Sequence, residues 1–68
     1  MINLKTFNVK FFELDHREEL TENVIFETMV TTEKQSIAGQ LAAKEFKINS
    51  PEVYAEFRHR YFIVCEEV

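Results

Sequence analysis

The sequence predicts an α+β fold: a three-stranded antiparallel sheet with one long and one short helix, in the order β-β-α-α-β. Three observations predict it. Apolar side chains alternate with polar ones near the start of the chain, they recur at helical spacing in its middle, and a β-prone run comes last. A chain of 68 residues has room for one domain, residues 1–68, with one modest core.

Two strands come first. Residues 3–14 alternate between apolar and polar side chains from Phe7 to Phe11, which is the two-residue period of a half-buried strand. Residues 24–32 are rich in β-branched and aromatic side chains and are predicted to form the second strand. The polar segment 15–23 connects them and is longer than a tight hairpin turn. The two strands are therefore expected to pair antiparallel.

A long helix is predicted next. In residues 33–47 the apolar side chains recur three and four positions apart, which is the spacing of an amphipathic helix. Thr32, with Gln35 three residues later, matches a capping box at its start. We expect this helix to cover one face of the sheet.

A short helix and the last strand follow. Residues 50–52, Ser-Pro-Glu, supply an N-cap, a proline at the first helical position and an acid in the first turn. Val53 and Phe57 are the expected buried pair of this helix. Residues 61–65 are apolar and β-prone. A helical crossover returns them antiparallel to the first strand, which then lies at the centre of the sheet.

The predicted sheet has more apolar side chains than one face needs. One set is expected to point at the long helix: Phe7, Val9, Phe11, Val24, Phe26 and Val30. The opposite face then receives Phe12, Ile25, Met29 and either Tyr61 with Ile63 or Phe62 with Val64. A solvated sheet face is normally polar, and an apolar patch on it usually marks an interface. Three explanations are open: the short helix covers this face within the monomer, strand twist lets both faces contribute to one core, or a second molecule covers the face.

We therefore expect a small acidic protein that docks on a protein partner or forms a homodimer. The expected apolar contacts are Phe12, Ile25, Met29 and Phe62, and the expected rim charges are Glu13, Asp15, Glu18 and Glu19. These charges belong to residues 13–33, a stretch that holds seven acidic residues against the single Arg17. A basic partner surface is the easier fit to such a stretch.

No catalytic, cofactor or metal site is expected. His16 and His59 lie far apart in the chain, and a single glycine cannot build a phosphate loop. The acidic connection lacks the glycine that bends a calcium loop. Cys65, the only cysteine, lies in an apolar run that is typical of a core thiol. The sequence thus favours binding over catalysis.

Single-stranded nucleic acid is the alternative partner. Sheets bind single strands with aromatic residues and nearby cations, and this chain offers Phe12, Tyr61, Phe62, Arg58, Arg60, Lys5 and Lys10. The formal net charge of −4 counts against this alternative, because most of such a surface repels phosphate. A third hypothesis is that the carboxylates imitate a phosphate track and occupy a nucleic-acid-binding protein.

The sequence also bears on location. No apolar run is long enough to span a membrane, and the first residues lack the features of a signal peptide. A cytoplasmic protein is expected, in keeping with the single unpaired cysteine. In size and element order the chain is similar to the small, free-standing proteins that bacteriophages encode to inhibit or redirect a host protein. That resemblance implies a partner-binding role in a host cell and identifies no residue.

Overall fold

A computed structural model describes residues 3–58 and 60–68. Its elements are β1 (Lys5–Leu14), β2 (Leu20–Thr32), α1 (Gln35–Asn49), α2 (Pro51–Phe57) and β3 (Tyr61–Glu67). The predicted α+β class and the element order β-β-α-α-β are therefore confirmed.

The three strands form one antiparallel sheet with the spatial order β2-β1-β3. β1 is central, as predicted, and it pairs with β2 on one side and β3 on the other. Phe11, for example, lies opposite Phe26 on β2 and opposite Ile63 on β3. Since directly opposite residues point to the same face, this register determines which side chains share each face.

The connection between β1 and β2 is shorter than predicted. The backbone N–H of Asp15 donates to the carbonyl of Glu19 at 2.9 Å, and that of Glu18 donates to the carbonyl of Asp15 at 2.9 Å. Residues 15–19 therefore form a tight turn, and β2 begins at Leu20. The prediction started this strand at Val24 because the three residues before it are polar. Cross-strand pairing with β1 extends the strand despite that polarity.

A bulge shifts the faces of β2. Phe11 pairs with Phe26, but Phe12 pairs with Val24, so that Ile25 is an extra residue without a partner in the register. Val24 consequently lies on the same face as Phe12 and is 41% exposed. The prediction that Val24 points at the long helix is wrong, because it assumed unbroken alternation along the strand.

The core lies between β1 and α1. Its buried residues are Phe7, Val9, Phe11, Val30, Ala38, Ala42 and Phe46. The two alanines allow the helix backbone to approach the sheet closely. Phe46 then fills the space at the other end of the contact, stacked on Phe26 with ring centroids 4.7 Å apart and in edge contact with Phe11 at 5.0 Å. Aromatic clusters of this kind provide much of the stability of a small core.

The start of α1 differs from the predicted capping box. Lys34 is the N-cap residue and makes no side-chain capping hydrogen bond. Thr32 is instead buried at the end of β2, opposite Lys5. The side-chain amide Nε2 of Gln35 donates to the carbonyl of Cys65 at 2.8 Å. The predicted capping box therefore does not form, because Thr32 pairs with β1 and Gln35 bonds to β3.

α2 lies on the same side of the sheet as α1. The ring of Tyr54 packs edge-on against Phe46, with centroids 5.4 Å apart. Val53 and Phe57, which were predicted to be the buried pair, are only half-buried. Because Phe46 lies on the helix side of the sheet, α2 adds to that layer and leaves the other face uncovered.

Candidate protein-binding surface

The face of the sheet opposite α1 is named the open face. The register assigns to it Thr6, Asn8, Lys10 and Phe12 of β1, Val24, Glu27, Met29 and Thr31 of β2, and Phe62, Val64 and Glu66 of β3. The side-chain hydroxyls of Thr6 and Thr31 are 3.1 Å apart, as expected of a cross-strand pair on one face. Polar and apolar residues are unevenly distributed on this face.

Apolar residues are concentrated at the end of the sheet near the β1–β2 turn. Phe12 lies opposite Val24 on one side and opposite Phe62 on the other, so these three side chains form a continuous apolar row across all three strands. Val24 is 41% exposed and Phe62 is 51% exposed. An aromatic residue that exposes half of its surface within a contiguous apolar row is typical of an interface.

The next rows of the open face are mixed. Lys10 lies between Glu27 and Val64, and Asn8 lies between Met29 and Glu66. Met29 is 55% exposed. The face thus has an apolar end near the β1–β2 turn and a mixed middle.

β3 resolves one alternative that the sequence left open. Phe62 and Val64 are on the open face, because they pair with Phe12 and Lys10. Tyr61 points to the helix side, where its ring centroid is 5.1 Å from that of Phe11. Burial raises the pKa of the Tyr61 hydroxyl. Ile63 packs against the same core.

Ile25 differs from the other predicted apolar contacts. Phe12, Met29 and Phe62 lie on the open face. Ile25, at the bulge, is half-buried and packs against the core. Sequence alternation missed Val24, which occupies the open face in its place, because nothing in the sequence marks the bulge.

The predicted rim charges cluster at the turn but have different roles. Glu13 pairs with Tyr61 and therefore lies on the helix side, where its Oε1 accepts a hydrogen bond from Nδ2 of Asn23 at 2.7 Å. Glu18 and Glu19 are exposed. The turn begins at Asp15, three residues after Phe12, so the exposed carboxylates lie near one end of the apolar row.

Asp15 has a structural role in this turn. Its Oδ1 accepts hydrogen bonds from the backbone N–H groups of Arg17 at 2.8 Å and Glu19 at 2.9 Å. The hydrogen bond from Glu19, followed by that from Arg17, lowers the pKa of this carboxyl below its usual value of 3.8. Bonds to the ionised form favour it, so Asp15 holds the turn as a carboxylate.

The described ranges, 3–58 and 60–68, contain no candidate metal site. Within them, no cluster of three or more histidine, cysteine, aspartate or glutamate side chains can hold a metal ion. His16 is exposed on the turn, and His59 lies outside the described residues. Cys65 is half-buried, its Sγ is 3.9 Å from the carbonyl of Gln35, and burial raises the pKa of its thiol.

Two of the cations that a nucleic-acid-binding face would need, Arg60 and Lys5, contact other side chains of this protein. The guanidinium of Arg60 lies over the ring of Phe57, 5.1 Å from its centroid. Nζ of Lys5 is 3.6 Å from a carboxylate oxygen of Glu67. Lys10 is the cation that the register places on the open face beside Phe12.

Among the described residues, no helix is both long enough and apolar enough to cross a membrane. Comparison with known proteins matched the chain to no family model, no curated protein and no solved structure.

Proposed function

We propose that this chain is a small, non-enzymatic protein-binding module that associates through its open face, either with a second copy of itself or with a protein target. The observation that carries the proposal is the apolar row of Val24, Phe12 and Phe62, which spans all three strands on the face without a helix. Phe62 and Met29 each expose more than half of their surface there.

Association would remove these side chains from water. Fully burying a phenylalanine or methionine side chain is worth about 1.5–3 kcal/mol, and interface energy concentrates in a few central residues of this kind. The pair of Phe12 and Phe62 is the natural centre, because it has Val24 at one end and Val64 in the adjacent row. We infer that Phe62 is the residue whose truncation weakens association most.

The exposed carboxylates of the turn would flank a bound partner. Among the described residues, Glu18 and Glu19 form no salt bridge. Charges at the rim of an interface mainly steer encounter and select orientation. A partner with basic residues next to an apolar centre fits this surface. An inhibitor or modulator of a host protein, of the type that bacteriophages encode, is the form of this activity that the chain's size and element order favour.

Two experiments test the proposal on the wild-type chain, Phe62→Ser and Met29→Asp. Sedimentation velocity measures self-association, and affinity capture from cells that produce the chain detects a bound target protein. Gln40→Ala is the control, because Gln40 is exposed and lies on α1, away from the open face. The two open-face variants should lose association while remaining folded. Association that survives both of them would contradict the proposal.

Single-stranded nucleic acid is the second candidate, favoured by one observation. Phe12 and Phe62 are adjacent aromatics on neighbouring strands with Lys10 in the next row, and bases stack on such platforms. Glu27 and Glu66 flank the same surface, which opposes phosphate binding. Fluorescence titration with labelled single strands at low salt decides between the two. An absence of binding below about 100 µM eliminates this candidate, since non-specific binding is usually at least that tight.

A further inference from the structure

β2 forms an edge of the sheet, and the direction of its backbone groups follows from the neighbouring strands. The N–H of Leu14 donates to Arg60, and the carbonyl of Thr6 accepts from Val68. Even-numbered residues of β1 therefore direct their backbone N–H and C=O groups toward β3 and the residues that flank it. Odd-numbered residues such as Phe7 and Val9 direct theirs at β2.

The β2 partners of these odd-numbered residues are Val30 and Thr28. Backbone groups alternate in direction along a strand, so Glu27, Met29 and Thr31 present their N–H and C=O groups at the outer edge. In the described part of the chain, no hydrogen bond reaches these outward groups. They form a ready template for an additional strand.

An apolar groove runs beside this edge, between β2 and α1. Its volume is about 370 Å³, and it is lined by Leu41, Lys44, Glu45 and Ile48 of α1 together with residues 29–31. Ile48 is 75% exposed and Leu41 is 37% exposed. A side chain of an added strand opposite Val30 would point to the helix side and enter this groove.

The charge of the β2 edge indicates which kind of strand could bind there. Within β2 the only charged side chains are Glu22 and Glu27, and Glu33 follows the strand directly. The neighbouring cations are Lys10, opposite Glu27 on β1, and Lys44 of α1, which lines the groove beside Glu45. Pairing of two β2 edges would bring two acidic strands together, and like charges on neighbouring strands are destabilising. A basic strand is complementary to this edge.

We propose that the β2 edge and the groove beside it bind an extended basic segment of a partner protein as a fourth strand. Its backbone pairs with the outward groups of Glu27, Met29 and Thr31. Its apolar side chains enter the groove beside Leu41 and Ile48, and its alternate lysines or arginines lie on the open face near Glu27. This site is distinct from the apolar row and goes beyond the function proposed above.

The test is an NMR titration of the isotope-labelled full chain with an acetylated peptide of about seven residues, the usual length of a strand, in which lysine and isoleucine alternate. The controls are the same peptide with glutamate in place of lysine and one with alternate backbone nitrogens methylated. We expect the lysine peptide to bind, and the amide signals of Glu27, Met29 and Thr31 to shift. Each control peptide should bind at least about ten-fold more weakly.

Two variants of the chain locate the binding. Ile48→Gln removes an exposed apolar wall of the groove and should weaken binding about ten-fold. Phe62→Ser, on the opposite edge of the sheet, should leave peptide binding unchanged. The two variants therefore distinguish a failure of the β2-edge proposal from a failure of the proposed apolar-row interface. The proposal is overturned if the lysine peptide does not bind at about 1 mM, if the glutamate peptide binds equally well, or if Ile48→Gln has no effect. Dissociation of a homodimer by Ile48→Gln would assign the edge to a second copy and also overturn it.

Discussion

Phe12 and Phe62 are direct cross-strand neighbours on the open face, and Phe62 nevertheless exposes 51% of its surface. Aromatic pairs on adjacent strands stabilise a sheet, but among residues 3–58 and 60–68 no second layer covers the pair, because both helices lie on the other side. The pair contributes to the sheet and remains accessible to a partner. The proposed function depends on this combination.

Ile25→Asp should destabilise the fold far more than Met29→Asp. Ile25 is half-buried and packs against the core at the bulge, so a carboxylate there should cost about 1–3 kcal/mol. Met29 is 55% exposed, so its substitution should change the free energy of unfolding by less than about 1 kcal/mol. Urea denaturation followed by circular dichroism measures both. Equal loss of stability in the two variants would show that Met29 belongs to the core.

Phe46→Ala should unfold most of the protein at room temperature. Its ring contacts Phe11, Phe26 and Tyr54, and truncation of a buried phenylalanine costs about 3–5 kcal/mol. A single core of this size supplies about 3–5 kcal/mol in total. Thermal melts should lose their cooperative transition in this variant, whereas Phe62→Ala should retain it. A cooperative melt of Phe46→Ala near the wild-type midpoint would contradict the described core.

Glu18→Gly should stabilise the chain. Glu18 has a φ of 61°, the left-handed conformation, which costs a non-glycine residue about 1–2 kcal/mol. Glycine adopts it without that penalty but loses more entropy on folding, so a net gain of about 0.5–1 kcal/mol is expected. The midpoint of urea denaturation should rise accordingly. Glu19→Gly is the matched control and should be destabilising, so a gain in that variant alone would refute the assignment of the turn.

Asp15 should make stability depend on pH in the acid range. Its folded pKa is lowered below 3.8 by hydrogen bonds from the backbone of Glu19 and Arg17. A group whose pKa is lower in the folded state stabilises above its unfolded pKa, and that stability is lost as pH falls through the folded value. The difference in unfolding free energy between the wild type and Asp15→Asn should be constant at neutral pH and should shrink below pH 3.8. A difference that grows on acidification would contradict this role.

Local pattern was sufficient to predict β1 and the two helices. The alternation from Phe7 to Phe11 and the spacing that leads to Phe46 each match the observed faces. Ser-Pro-Glu at residues 50–52 marks the start of α2, where Pro51 is the first helical residue.

Tertiary contacts determine the features that the local sequence pattern did not predict. Thr32 extends β2 because it pairs with Lys5, and so it does not cap α1. The bulge at Ile25 moves Val24 to the open face, and the left-handed Glu18 permits a tight turn that sequences usually mark with glycine. The apolar surplus on the second sheet face could be predicted from the sequence. Whether α2 covers that face could not, because the position of α2 depends on its packing against Phe46.

The most direct test of the open face as an interface is photo-crosslinking from position 62. Phe62 is replaced by p-benzoylphenylalanine in cells that produce the chain, and the same residue replaces Gln40 as an exposed control on α1. We expect irradiation to yield one discrete adduct from position 62, either a covalent dimer or the chain joined to one partner, and none from position 40. No adduct from position 62, or the same adducts from both positions, would contradict the account.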